Sequence, residues 1–456
     1  MSETLVIPRN STFAAVEEVT EGVAVADTAT AAVLVTQDGA QLNLDRALIE
    51  KYFMSGSLTM NAPQIGMWGD IGMTFPTMAR GKGTLTKPDF SMFMKSIFGV
   101  EEINTDGVVD AGSTCENIVI KSGAGDIIVG QMVYFPDTPF LTRVITSTAG
   151  ASFTVSPPLP SVPSENDEII AGINWMLSSS DHPTFTTYAY FDGPLRCQMP
   201  GNKVTSWTAT FTVGDTVDME FVTRAVRVPV LDNTAQGVTP TVDRSTAPLT
   251  CLGVDLEAYF KGTATGTPTT TETVLLAPTF EVSTDDSILI EVSAGVWETL
   301  AISNVSGNAG SNITLTHEAA SIAASATDPI KIKRVECANV GDSLSIAMTC
   351  EIATENCMAA SSGKKSQKQS SRLIEISDTP YFKSWQSFLM RDALTGSGIK
   401  ILLGDTTDEM FFVYIPKRVN TAVSIENDEL GKLSVTSRAV GDDELGDNYE
   451  IVAGVC

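Results

Sequence analysis

Met199-Pro200-Gly201-Asn202-Lys203-Val204, followed by Phe221-Val222-Thr223-Arg224-Ala225-Val226, decides the reading of this chain because it occurs twice. The second occurrence opens on Ile415-Pro416-Lys417-Arg418-Val419 and closes on Val435-Thr436-Ser437-Arg438-Ala439-Val440. Upstream, Lys87-Pro88-Asp89-Phe90 with Phe93 and Ile97 is matched by Thr379-Pro380-Tyr381-Phe382 with Trp385 and Leu389, at a constant offset of 292 residues. Further upstream, Gly39-Ala40-Gln41-Leu42-Asn43-Leu44 resembles Gly341-Asp342-Ser343-Leu344-Ser345-Ile346. A repeat on this scale governs the fold before any local motif does.

The repeated segments carry two periods. Phe185–Phe191, Trp207–Val213, Val217–Val222, Met410–Tyr414 and Lys432–Thr436 alternate apolar and polar residues, which predicts half-buried antiparallel strands. Phe90, Phe93, Met94 and Ile97 lie on one helical stripe, with Pro88 at the first turn and Gly99 placed to end the helix. Tyr381, Trp385, Phe388 and Leu389 predict a second such helix, with Thr379 as its N-cap. These aromatics are expected to pack a helix on a sheet. The fold class is therefore mainly β, with one flanking helix per repeat.

Matched prolines are unequally spaced. Pro88 to Pro200 spans 112 residues and Pro380 to Pro416 spans 36, so the first copy holds 76 extra residues, placed at about 101–174. Within them, Ile127–Phe135, Arg143-Val144-Ile145 and Phe153-Thr154-Val155 predict short strands separated by turn residues. Residues 264–334 resemble this insert: Ser287–Val292 matches Gln131–Phe135, Leu300–Val305 matches Thr142–Ser147, and Ile313-Thr314-Leu315-Thr316 matches Phe153-Thr154-Val155-Ser156. The expected division is a first domain from 1–103 and 175–245, an insert at 104–174, a second domain from 246–263 and 335–456, and an insert at 264–334.

The chain has 456 residues, which suits roughly three domains of ~150 residues. The balance of 29 basic to 55 acidic residues gives a formal charge of −26, which argues against a general phosphate-binding surface. Seven cysteines, an odd number without a Cys-x-x-Cys pair, argue against a disulfide framework or zinc site and suit assembly in a reducing cytoplasm. The N-terminus lacks the layout of a signal peptide. No apolar run reaches ~18 residues, so no membrane span is expected.

Catalytic signatures are sparse. His182 precedes a strand in Ser-Asp-His-Pro, and no second histidine follows His317 at zinc-protease spacing. Ser361-Ser362-Gly363-Lys364-Lys365-Ser366 fails as a phosphate loop, because Met358 stands where the first glycine belongs and Lys365 follows Gly-Lys. Asp442, Asp443 and Glu444 lack the calcium-loop layout and read as a solvated charge cluster. Trp175, Trp207 and Trp297 read as strand or core residues. The expectation is a chain with no catalytic residue, cofactor or metal.

Two segments look like assembly devices. Residues 352–372 read as a polar loop carrying Lys364, Lys365, Lys368 and Arg372. The corresponding Ser55–Gly83 is apolar, with Met60, Met67, Trp68, Met73 and Phe75 among glycines and prolines. Met-rich surfaces adapt to partners, and exposed apolar loops mark interfaces.

On these residues, with Ser11–Gly22, Tyr188–Gly193 and the Phe221–Val226 strand, the chain resembles the tail tube (major tail) proteins of long-tailed bacteriophages, of the duplicated tube-domain type. The resemblance covers the repeated copies and not the inserts. It implies two tandem tail-tube-like β-sandwich domains, each with a flanking α-helix, plus two small inserted β domains. It also implies trimeric, pseudo-hexameric rings stacked into a tube, with tail tip or initiator, tape measure and tail terminator proteins as partners. Genomic DNA would pass through without specific binding, in a virion tail assembled in the host cytoplasm. Asp215, Asp218, Glu220, Glu426, Asp428 and Glu429 are the lumen candidates, because they lie in the matched hairpins. The Met60–Phe75 and Lys364–Arg372 residues, with Asp442, Asp443 and Glu444, are the inter-ring candidates. The competing expectation is another virion or surface structural protein, a capsid decoration or adhesin. A carbohydrate-binding protein or enzyme would need a cleft with paired carboxylates and aromatics.

Overall fold

The computed structural model describes residues 12–26, 32–34, 40–49, 64–81, 87–136, 141–156, 159, 161–180, 182–191, 195–233, 247–251, 255–264, 271–275, 287–293, 296–306, 312–317, 329–335, 343–356, 364–380, 397–404, 409–426, 431–441 and 449–456. The fold is mainly β and antiparallel. Strands β1 (Thr12–Glu17), β2 (Ala32–Leu34), β3 (Gln41–Ile49) and β4 (Gln64–Met78) precede helix α1 (Ser91–Phe98), which runs into β5 (Gly99–Ile103). Six short strands follow: β6 (Gly107–Val109), β7 (Asn117–Gly123), β8 (Met132–Phe135), β9 (Leu141–Ala149), β10 (Ser152–Ser156) and β11 (Glu168–Ile169). Next come β12 (Ile173–Leu177), β13 (Phe185–Phe191), β14 (Leu195–Thr212), β15 (Asp218–Ala225) and β16 (Val230–Asp232). The second half holds β17 (Asp255–Ala264), β18 (Thr271–Leu275), β19 (Ser287–Ser293), β20 (Val296–Ser306), β21 (Asn312–His317) and β22 (Pro329–Val335). It ends with β23 (Ser343–Asn356), β24 (Lys364–Asp378), β25 (Ser397–Leu403), β26 (Phe411–Glu426), β27 (Lys432–Val440) and β28 (Val452–Val455).

One pairing network occurs in both halves. In the first it runs β2–β1–β13–β14–β15–β4–β3. In the second it runs β22–β17–β25–β26–β27–β24–β23. The registers coincide. Trp207 faces Phe221 as Val423 faces Val435, so β26 follows β14 at an offset of 216 residues and β27 follows β15 at 214. Both hairpins bulge at the same place, after Val204 and after Asn420. The bulged threonines make the same bond: Thr205 Oγ1 donates to the Val222 carbonyl at 3.1 Å, and Thr421 Oγ1 to the Thr436 carbonyl at 3.1 Å. A bulge fixes register and bends a long strand, here letting β14 and β26 each pass from one sheet to another.

These registers correct one sequence alignment. Thr74 faces Val222 as Ser377 faces Thr436, so β24 follows β4 at an offset of 303 residues. Leu42 and Leu44 then correspond to Ile346 and Met348, two residues beyond the Leu344 and Ile346 matched by sequence. A two-residue slip leaves the same face apolar, so hydropathy alone does not separate the two alignments.

Helix α1 forms where the apolar stripe predicts it, but Pro88 lies before it and Phe90 occupies the cap position without a side-chain cap. Gly99 ends it at φ +103°, a conformation that favours glycine. Phe93, Met94, Ile97 and Phe98 are buried against the sheet: Phe93 lies 4.9 Å from Phe185 and Phe98 5.7 Å from Trp207, ring centre to ring centre. The helix expected after Pro380 lies outside the described residues.

Two seams join the halves. The end of β14 pairs with β23, with Trp207 opposite Met348. The C-terminal β28 bridges β26 to β12, which pairs in turn with β5. One hydrophobic core therefore runs through both halves, from Phe75 and Trp207 to Ile346 and Phe411.

Strands β6 to β11 pair in the order β11–β6–β7–β10–β9–β8, and an isolated Tyr134–Ile170 bridge closes the circuit. Strands β17 to β22 pair as β22–β17–β18–β21–β20–β19, closed by β19–β22. Numbered in chain order, the two six-stranded circuits have the same connectivity. In the first, Ile127–Gly130 is a turn leading to β8, where a continuous strand was expected. The first circuit also packs on the second half: Met132, Tyr134 and Val144 meet Leu402, Phe412 and Val452. Gly130, at φ +90°, leaves room for the Tyr449 ring, whose hydroxyl donates to the Val129 carbonyl at 3.2 Å.

Candidate assembly surface

Joining the networks at the β14–β23 seam gives one sheet of eight strands, in the order β3–β4–β15–β14–β23–β24–β27–β26. It consists of two equivalent four-stranded blocks. Its inner face is core. Its outer face is polar and short: Thr208, Thr210, Ser345, Thr349, Ser377 and Ser434 stand there half-exposed or exposed. Asp218 and Glu220 of β15 are exposed on this face, and Glu375 faces Arg438 across β24 and β27. Asp215 is exposed at the turn before β15. Glu426 ends β26 opposite Lys432, while Asp428 and Glu429 lie outside the described residues.

The two segments expected to act as assembly devices take different conformations from those expected. The polar stretch 352–372 is mostly two arms of one long hairpin, β23 and β24, paired from Leu344–Asp378 to Asn356–Lys364. Alternating Lys, Gln and Ser can form a strand when the backbone ladder and a few buried positions supply the stability. Gln367 is fully buried and donates Nε2 to the Ala225 carbonyl, and Lys203 Nζ donates to the Gln367 carbonyl at 2.6 Å. Lys364 is buried, Lys365 bonds Glu355 at 2.9 Å, and Lys368 is exposed. Arg372 Nε donates to Glu450 at 3.2 Å and its Nη1 to the Ser178 carbonyl at 3.1 Å. Its acidic partner here, Glu450, is in its own chain. Asp442, Asp443 and Glu444 lie outside the described residues.

Met73 and Phe75 are also corrected. Both belong to β4 and are buried, so neither forms an exposed loop. Gly72, one of the glycines that suggested a loop, serves close packing: a Cβ there would stand 1.8 Å from the Thr223 carbonyl oxygen. Met67 and Trp68 lie in the same strand, and Met60 lies outside the described residues.

Sequence reading missed the sheet edges. Beyond the seam partners, β26 carries Ile425 at 44% exposure and half-exposed Val423, while β3 carries half-exposed Leu42 and Leu44. Strand β16, held on β14 by an Arg196–Asp232 fork of 2.5 and 3.0 Å, exposes Val230 and Leu231. The signal was in the repeat: Val423 and Ile425 occupy the positions of the buried Trp207 and Ala209.

Among the described residues no group of His, Cys, Asp and Glu is placed to hold a metal ion, and no helix is long and apolar enough to cross a membrane. Trp175 and Trp207 are fully buried. Cys115, Cys197, Cys251, Cys350 and Cys456 are buried and form no disulfide, and burial raises the Cys197 and Cys350 thiols to about 11. No protein-family model matches the chain, and no curated protein matches it.

His182 ties the end of α1 to the approach to β13, its ring nitrogens 3.1 Å from the Ser96 and Ser178 carbonyls. Burial lowers its pKa, more than those carbonyls raise it, and Lys203 and Arg372 act in the same sense as burial. Unfolded histidine titrates near about 6.5. The stability carried by neutral His182 is therefore present above that pH and lost as pH falls through the lowered folded value. Urea denaturation of His182→Gln is expected to show a flatter pH dependence than the parent below about pH 6.5. Identical slopes would remove His182 from the acid response.

Proposed function

We propose that this chain is a structural virion protein that polymerises into stacked rings and forms the tail tube of a long-tailed bacteriophage. The observation that carries the reading is the eight-stranded sheet built from two equivalent blocks, in which β3 and the end of β26 have no strand partner on their outer edges among the described residues and the outer face is polar and small. A head-to-tail contact between its ends is heterologous, and such contacts close into rings or extend into filaments. Closure satisfies the edges, which an isolated chain leaves as sites for wrong pairing.

On this reading each half is a tube domain, and the two six-stranded circuits are insertions in them. Three chains supply six four-stranded blocks to a ring. The hydroxyl face lines the lumen, where short neutral side chains with Asp218 and Glu220 give DNA little to hold. The overall charge of −26 acts in the same direction. A tail tip or initiator complex, a tape measure protein and a tail terminator would be the further partners.

Negative-stain microscopy of the concentrated protein tests the reading. Hollow, cross-striated tubes are the expected result; small closed oligomers at every concentration would instead indicate a capsid decoration or adhesin. The lumen assignment has its own test. Tubes of the Asp218→Lys, Glu220→Lys double variant, assembled with short duplex DNA, are expected to retain it at low salt and release most of it by about 200 mM. Parent tubes should retain none. Equal retention would move these carboxylates off the lumen.

A further inference from the structure

We infer that the free end of β26 pairs with β3 of a second copy of this chain, in a register dictated by the seam inside the chain, and that β16 lies in the same contact. Within the chain, β14 is covered by β23: Trp207 faces Met348, Thr208 faces Ala347, and Ala209 faces Ile346. The β14 residues correspond to Val423, Ser424 and Ile425, and the β23 residues to Leu44, Asn43 and Leu42. All of the latter lie on edges that have no strand partner among the described residues. Transferring the seam places Val423 opposite Leu44, Ser424 opposite Asn43 and Ile425 opposite Leu42. The apolar pairs then share the core face, and Ser424 and Asn43 stand on the polar face.

A second observation points to the same surface. Strand β16 sits on β14 as β28 sits on β26: Cys197 faces Leu231, and Val413 faces Ala453. The far edge of β28 is covered by β12 of the other half, and Val452 to Val455 are buried. Among the described residues the far edge of β16 has no such cover, and Leu195, Val230 and Leu231 are 38, 46 and 62% exposed. Inside the chain, the second half receives the first on β23 and β28 together. Their equivalents in the first half, β3 and β16, make the matching receiving face. These apolar side chains, with Ile425, are the surface that a neighbouring copy buries.

The inference deepens the tube reading and rests on it only for the ring size. Its test is the double variant Asn43→Cys, Ser424→Cys, whose two positions are exposed and outside the core. At ~4.8 Å per strand, the edges of an eight-stranded sheet stand about 30 Å apart, so one chain does not bridge them itself. A short bismaleimide is expected to give a covalent ladder ending at three chains, while each single variant stays uncross-linked. Leu231→Arg in the parent should raise the concentration needed for assembly about tenfold or more, the response to ~1.4 kcal/mol lost per contact. Tubes that form without cross-linking would overturn this pairing and leave the tube reading standing. Neither tubes nor cross-links at high concentration would overturn both.

Discussion

Asp378→Ala is expected to cost about 3–5 kcal/mol of folding stability, read as a lower urea midpoint at unchanged slope. Asp378 and Arg418 are 2% and 5% exposed and meet at 3.5 Å, joining the end of β24 to the middle of β26. Removing the carboxylate takes an ionic partner from a guanidinium that is itself buried, and the cost is that of a broken buried pair, not of a surface ion pair. The repeat supplies the control. The corresponding positions in the first half are Phe75 and Asn202, both fully buried and uncharged. The double variant Asp378→Phe, Arg418→Asn should therefore recover most of the loss. Recovery should be incomplete, because Asn202 donates to Thr187 Oγ1 and its counterpart would face Ile399, which has no hydroxyl. A single variant within 1 kcal/mol of the parent would mean that the pair does not stabilise this strand crossing.

Trp207→Ala is the second large effect, again about 3–5 kcal/mol, the usual cost of emptying a fully buried tryptophan site. Trp207 has no exposed surface, packs against Phe98 of α1 and faces Met348 across the seam. The cavity would open where the two halves join, so the loss should be uneven. Hydrogen exchange is expected to rise first in the Ser206–Thr212 and Ser343–Thr349 strands, then in α1, with the β6–β11 circuit least affected. A uniform rise across the chain would mean that the halves do not have a separable seam.

The repeat was legible because its marker residues do defined jobs. Pro200 and Pro416 sit at matching positions of a long bent strand, and Arg224 and Arg438 at matching positions of its partner. Alternation placed the end of β14, β15 and β27 correctly, since each buries one face, whereas Phe185–Tyr190 of β13 and Met410–Val413 leading into β26 are buried throughout and not half-buried as expected. What failed were positions where burial does not follow polarity. Lys364 and Gln367 are buried in a segment that reads as solvated, and Met73 and Phe75 are core in a segment that reads as an exposed loop. Glycine supplied the misleading signal in β4, where it permits close strand packing and does not mark a turn. The candidate surface was less legible still. Whether Ile425 or Leu231 is an edge or a core residue depends on which strand lies beside it, and that is a property of the pairing network, not of local sequence.

On the proposed function, one chain carries two equivalent blocks of a closed assembly. Electron microscopy of end-on rings, averaged without imposed symmetry, tests it most directly. Threefold rings of three chains are expected, each ring showing six near-identical inner blocks around an open lumen. Sixfold rings of whole chains, or particles with a filled centre, would contradict it.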